Sequence, residues 1–320
     1  MEIRKGTAVE ATSTIKIDEW PVPRPNAIHV TKRNHIHLRI KDFWSLTKPR
    51  MNFLVLVTTA VGYYMAARGS LLWGRLLPTL LGTALTAAGA SVLNQVLERR
   101  FDALMPRTAR RPLPQGRVRP IEAWVFGIAL SVSGTALLAA LVNTLTALLA
   151  VITLVTYLFL YSPAKRRTSL CTLIGAVPGA LPAVMGFTAA CGAITAPALA
   201  LFGILFVWQM PHFLSIAILY RDDYARGGFR MLPVGDDCFK ASTRQIVLYS
   251  LALIPVTLVP VLLGVVGVNY LLVAVALGIG FCGVGLNWAR NRSRANARQL
   301  FFASIIYLPI LLTAMTIDKL

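Results

Sequence analysis

From Met51 to the C-terminus, long apolar runs alternate with shorter polar ones. Nine windows are long enough to cross a bilayer, roughly 51–68, 73–97, 121–141, 144–161, 169–190, 197–219, 245–264, 269–288 and 299–316. About 18 or more consecutive apolar residues span the hydrocarbon core as a helix. Within lipid, only helices and closed barrels satisfy every backbone polar group. The pattern therefore predicts an all-α polytopic membrane protein with about nine transmembrane helices.

The polar segments between these runs are unequal. Connections such as 142–143 and 265–268 are little more than turns, whereas those on the other side are long and charged. Short loops only position helices, and function gathers on the long ones. The second and sixth spans end in similar stretches, NQVLERRFDALMPR from Asn94 and YRDDYARGGFRMLP from Tyr220. This echo predicts two related halves facing one central cavity, open on the charged side.

Composition agrees with the pattern: 56% of residues are hydrophobic, 14% are charged and the mean hydropathy is +0.64. The net charge of +19 would suggest nucleic acid in a soluble protein. Its placement argues otherwise. Residues 1–50 hold 10 Lys/Arg, and the 99–120, 162–168, 220–244 and 289–298 loops hold 7, 3, 5 and 4, so 29 of the 32 lie on one face. This is the positive-inside asymmetry. It places the N-terminus and the charged loops in the cytoplasm and the C-terminus outside, and no nucleic-acid motif accompanies the charge.

Residues 1–35 carry Glu2, Glu10, Asp18 and Glu19 and no apolar core of a signal peptide. They read as a polar tail ahead of a membrane domain over 36–320, and a bacterial cytoplasmic (inner) membrane is expected over a mitochondrial one. Residues 31–50 suit an amphipathic segment on the membrane surface. Trp44, Trp73, Trp124 and Trp288 near span ends suit interfacial anchoring. The scattered Cys171, Cys191, Cys238 and Cys282 show no metal spacing and read as packing residues.

Candidate chemistry sits at the charged face. Asn94, Glu98 and Asp102 are four residues apart, so on a helix they step by about 40° and share one face. With Arg107, Arg110 and Arg111 just beyond, this set suits a divalent cation and a phosphorylated ligand. The second stretch contains the Asp222–Asp223 pair and Arg230. Adjacent aspartates point about 100° apart, so one can face a cavity and the other water. Trp208-Gln209-Met210-Pro211-His212-Phe213 lies inside a span, where a lone histidine is more often a hydrogen-bonding residue than a ligand. Tyr161 to Thr168 carries Lys165, Arg166 and Arg167, ahead of Gly175, Pro178, Gly179 and Pro182. These cations suit a diphosphate or a propionate, or simply mark the cytoplasmic side.

Together the four stretches resemble the intramembrane aromatic prenyltransferase superfamily (UbiA-type), and within it the protoheme IX farnesyltransferase family. The resemblance rests on Asn94, Glu98, Asp102, Met105, Arg107, Thr108, Arg111 and Pro112, on Trp208 to Phe213, on Asp223, Tyr224, Gly227, Gly228 and Met231 to Pro233, and on Tyr161 to Pro182. It covers about residue 40 to the end. Glu98 stands where the family usually has aspartate, and Gly227 where it usually has alanine.

The resemblance implies farnesyl diphosphate bound with Mg²⁺ (or Mn²⁺) through Asn94, Glu98, Asp102 and Asp223, the metal ligands being Glu98, Asp102 and Asp223 with Asn94 as a further one. Arg107, Arg111, Lys165, Arg166, Tyr161 and Arg230 would meet the diphosphate or the haem propionates. His212 and Trp208 are candidates for contact with the acceptor. Haem b would be a substrate, its vinyl group capturing the farnesyl cation and water completing haem O. A haem A synthase or a terminal oxidase would receive the product. The rival readings are another aromatic acceptor, such as a quinone precursor, and an ion-coupled transporter. A transporter should carry its acids near mid-span, and these gather at one interface.

Overall fold

The computed structural model describes residues 32–320 apart from 68, 70 and 71; the side chains of 32–37 are also left aside. Most of the predicted tail 1–35, with Trp20, therefore lies outside the described residues. The rest is helical: α1 (Lys32–Leu46), α2 (Pro49–Ala66), α3 (Trp73–Asp102), α4 (Pro120–Leu141), α5 (Thr144–Val155), α6 (Ser162–Arg167), α7 (Cys171–Cys191), α8 (Ala196–Leu219), α9 (Arg221–Arg226), α10 (Lys240–Leu262), α11 (Val268–Arg290) and α12 (Arg294–Ile317). A π-helical turn, Thr156–Tyr161, joins α5 to α6, making one apolar rod from Thr144 to Arg167.

Eight of these rods are long and apolar enough to cross a membrane. The one remaining predicted span, 51–68, is α2, an 18-residue helix whose polar start, Pro49-Arg50-Met51-Asn52, dilutes its hydropathy. Its two ends touch opposite ends of the bundle. Gln95 near the end of α3 donates to Leu46 O just before α2 (2.7 Å), and Lys319 beyond α12 donates to Tyr64 O in its last turn (2.7 Å).

Small residues let the helices approach closely, as packing within lipid requires. In the α2–α7 seam, a Cβ on Gly62 would lie 2.0 Å from Ala183 O and one on Gly186 1.9 Å from Thr59 O. Gly82 and Gly89 on α3 face Gly134 and Gly127 on α4 in the same manner. The largest buried cluster joins α5, α7, α8, α10, α11 and α12. Large apolar side chains such as Phe53, Leu81, Ile128 and Leu272 remain exposed around the outside, where lipid would cover them.

At 30 residues α3 is about 45 Å long, against a hydrocarbon core of about 30 Å. Its last turns therefore project beyond the core, and they carry Asn94, Glu98 and Asp102. α1 is held across the same end by Arg39–Glu122 (2.7 Å) and Arg117–Asp42 (3.1 Å).

Two sequence expectations are corrected. Trp44, Trp73 and Trp124 are exposed as expected of interfacial anchors, but Trp288 is 0% exposed and packs edge-on against Phe239. α11 turns that face inward, so position near a span end did not reveal its orientation. Of the cysteines, Cys171 and Cys282 are buried as packing residues, while Cys191 and Cys238 are exposed.

Candidate active site

The last three turns of α3 carry the first motif on one buried face, with Asn94, Glu98 and Asp102 at 2%, 8% and 1% exposure. Buried carboxylates require partners, and both have one. Ser162 Oγ donates to Asn94 Oδ1 (2.6 Å), Asn94 Nδ2 donates to Glu98 Oε2 (3.1 Å), and Lys165 Nζ donates to Glu98 Oε1 (2.8 Å). The chain of bonds runs from α6 to α3 and back. Arg111 Nη1 donates to Asp102 Oδ2 (2.7 Å).

The residues after α3 hold this arrangement. Thr108 Oγ1 donates to Asp102 O (2.8 Å), capping a carbonyl that the helix leaves free. The Arg107 guanidinium lies over the rings of Tyr220 (4.8 Å) and Tyr224 (5.7 Å), so the loop after α3 is pinned to the stretch after α8. Beneath them Met105, Ala164, Cys171, Ala217, Phe229 and Met231 form a small apolar cluster. Met105 and Met231 thus serve as packing that joins the stretch after α3 to the stretch after α8.

The π-turn sets the second wall. The wider turn brings Tyr157 and Tyr161 side by side (5.6 Å), with Lys165 Nζ 4.3 Å from the Tyr161 ring centre; such turns recur at functional sites. Gly175 leaves room for the Tyr161 ring, since a Cβ there would lie 2.6 Å from it. Gly179 does the same for Gln209, whose Oε1 would be 1.9 Å away. The Arg166 guanidinium sits over Phe101 (4.6 Å). Arg230 joins the site through its backbone, its N–H donating to Lys165 O (2.6 Å), while its side chain is exposed.

Asp223 is half-buried and Asp222 exposed. The nearest cation to Asp223 is Arg226, at 3.9 Å. Among the described residues no three of His, Cys, Asp and Glu converge as a ready-made metal site. Glu98 and Asp102 are neutralised by Lys165 and Arg111, and Asp223 sits on α9 with Arg226. Trp208 and His212 lie further along α8 beside α12, where both bond to Ser304.

Lys48 was not among the residues singled out by sequence. It caps α2 in the left-handed conformation (φ 48°). Burial, then the nearby Arg111 and Lys165, lowers its ammonium to about 8 against the opposing pull of Glu98 and Asp102. The only sequence signal was a lysine beside a helix-starting proline. An apolar groove of about 660 Å³ opens between α1, α2, α3 and α4, lined by Phe43, Trp44, Thr47, Phe53, Leu85 and Phe126 among others. None of the acids lines it.

The Lys165–Glu98 pair gives a direct stability test. Lys165→Met leaves a buried carboxylate without its cation, and we expect a loss of about 3–5 kcal/mol, read as a lower midpoint of thermal unfolding in detergent. The double variant Glu98→Gln/Lys165→Met recovers most of it. Equal midpoints for wild type and the single variant would contradict this pairing.

Residues 55–306 match the UbiA prenyltransferase family. The chain is 46% identical over 289 residues to the protoheme IX farnesyltransferase of Solibacter usitatus, covering 88% of this chain and 99% of that one. It is 45% identical over 282 residues to that of Myxococcus xanthus, covering 87% and 94%. The chain belongs to the UbiA prenyltransferase family. Among solved UbiA structures, a homologue from Archaeoglobus fulgidus bound to GPP and Mg²⁺ superposes with a TM-score of 0.63 at 17% identity, covering 86% of this chain and 99% of that one. At that identity the likeness shows the UbiA fold.

Proposed function

We infer that the chain transfers the farnesyl group of farnesyl diphosphate to a vinyl group of haem b, giving haem O. The observation that carries this is the near full-length similarity to protoheme IX farnesyltransferases, at 46% and 45% identity. The geometry supports a diphosphate-handling site at one end of a lipid-embedded bundle, where two large apolar substrates can enter from the bilayer.

The donor set fits Mg²⁺, which takes a few carboxylates plus phosphate oxygens and water. Glu98, Asp102 and Asp223 would hold it, with Asn94 as a further ligand; the A. fulgidus homologue was solved with Mg²⁺ and GPP. The bound ion would offset charge growing on the departing diphosphate. Lys165 and Arg111, now spent on Glu98 and Asp102, exchange onto phosphate oxygens, with Lys48, Arg107 and Arg166 around them. These preorganised cations favour departure more than binding, because the charge they meet grows in the transition state.

The C1–O bond breaks with its electron pair going to the diphosphate. The haem vinyl π pair then forms the new C–C bond at C1. Water adds to the resulting benzylic-type cation and loses a proton, giving the hydroxyethylfarnesyl group. Keeping water away from C1 until that bond forms is the task of the apolar wall around Tyr157 and Tyr161.

We further propose a membrane domain over 36–320 crossing the bacterial inner membrane nine times, α2 included, with the cavity and N-terminus cytoplasmic. A haem A synthase or an oxidase would then take the product. The test offers purified protein, with farnesyl diphosphate and Mg²⁺, either haem b or a quinone-ring precursor, and identifies products by mass. Haem O alone is expected. A prenylated quinone ring without haem O would replace the acceptor and keep the family.

A further inference from the structure

His212 lies about two turns before the end of α8, and its ring is fixed on three sides. Trp208 stacks on one face (5.0 Å between ring centres, 17° between planes) and Phe301 of α12 stacks close by (5.4 Å, 24°). The third restraint is Ser304 Oγ, 2.8 Å from Nδ1. Trp208 Nε1 donates to the same residue's carbonyl (2.9 Å), so one turn of α12 positions both rings.

The hydrogen bonds assign the tautomer. Ser304 has a single hydroxyl proton, and it is directed to Phe301 O (2.6 Å). With that proton assigned to Phe301 O, the Ser304 oxygen accepts from His212 and the imidazole proton is assigned to Nδ1. Nε2 then carries a lone pair. It has no hydrogen-bond partner among the described residues, and it is not among the buried, unpartnered atoms either, so it remains accessible. A free nitrogen lone pair amid apolar surroundings is an unsatisfied acceptor that a ligand would satisfy. A histidine whose other ring nitrogen donates to a fixed oxygen is the arrangement that metal-binding histidines use.

We propose that His212 Nε2 is the axial ligand to the iron of the acceptor haem, with Ser304 as its positioning residue. This rests on the haem reading above. His212 precedes Tyr220, beneath Arg107, by eight residues, or about 12 Å along the helix. A porphyrin held by its iron and an allylic chain held by its diphosphate can meet across that length. Coordination selects a metalated porphyrin over a free-base one, which shape alone would not.

The chain has four histidines, and the other three are His29, His35 and His37. The test is resonance Raman spectroscopy of the full-length protein loaded with ferrous haem b. An iron–histidine stretch that moves on ¹⁵N-histidine labelling is expected, and it persists in the His29→Ala/His35→Ala/His37→Ala variant. In His212→Ala the band disappears, farnesyl diphosphate affinity stays within twofold, and added imidazole restores both band and product. Ser304→Ala shifts the band and weakens haem affinity roughly tenfold. Labelling requires no substitution, so an unstable variant does not obscure the result. Haem O formed without any labelled iron–histidine band, or with an unchanged band in His212→Ala, overturns the inference and leaves the function standing. A protein that neither binds haem nor makes haem O contradicts the functional reading itself.

Discussion

Replacing Asp102 by asparagine lowers kcat/KM for farnesyl transfer roughly 1,000-fold and leaves the protein folded. The carboxylate is 1% exposed and bound to Arg111 at 2.7 Å. Asparagine keeps its shape, and the Thr108 cap is preserved because it goes to the backbone carbonyl. What is lost is the negative charge that would hold the metal and keep Arg111 aimed at the diphosphate. Because Asp102 and Arg111 act as a unit, Asp102→Asn/Arg111→Gln should lose little more than the worse single variant. Steady-state kinetics over both substrates checks this. Additive losses would mean that the two residues work separately.

The largest structural effect is expected at the α2–α7 seam. Gly62→Val and Gly186→Val each place a side chain within 2.0 Å of a backbone carbonyl on the facing helix. A backbone oxygen cannot rotate aside as a side chain can, so the helices must part along their length. Overpacking of a well-filled core costs about 1–3 kcal/mol, and the backbone contact puts these sites at the upper end or above. α2 also carries the Lys48 turn at its start, so haem O formation should fall with folding. The readout is the yield of monodisperse protein after extraction, together with its unfolding midpoint. Gly280→Ala is the control: nothing lies within 4 Å of the Cβ it adds, and it should be near neutral. Wild-type behaviour of both valine variants would contradict this seam.

The length and spacing of apolar runs predicted the bundle well, because lipid demands a minimum run and tolerates few charges within it. The runs mark only the part of each helix buried in lipid. α3 continues from 97 to Asp102, while α10 and α12 begin at Lys240 and Arg294 rather than 245 and 299. Those added turns are polar, and the one on α3 carries Glu98 and Asp102 of the candidate site. Helical spacing put Asn94, Glu98 and Asp102 on one face, and that face is buried.

Spacing did not reveal their partners. Glu98 pairs with Lys165, 67 positions away, a contact that depends on tertiary packing. The same limit applies to Ser304 beside His212, to the π-turn that sets Tyr161, and to Lys48. A local pattern reports which residues share a face; which helix that face meets depends on the whole bundle.

The first motif on α3 and Asp223 beyond α8 are proposed to hold one metal–diphosphate between them. The most direct measurement is a structure of the protein with Mn²⁺ and a non-reactive thio-analogue of farnesyl diphosphate. Metal is expected between the Glu98–Asp102 face and Asp223, with Lys165 and Arg111 moved onto phosphate oxygens. Diphosphate bound elsewhere, with the Glu98–Lys165 and Asp102–Arg111 pairs intact, would contradict it.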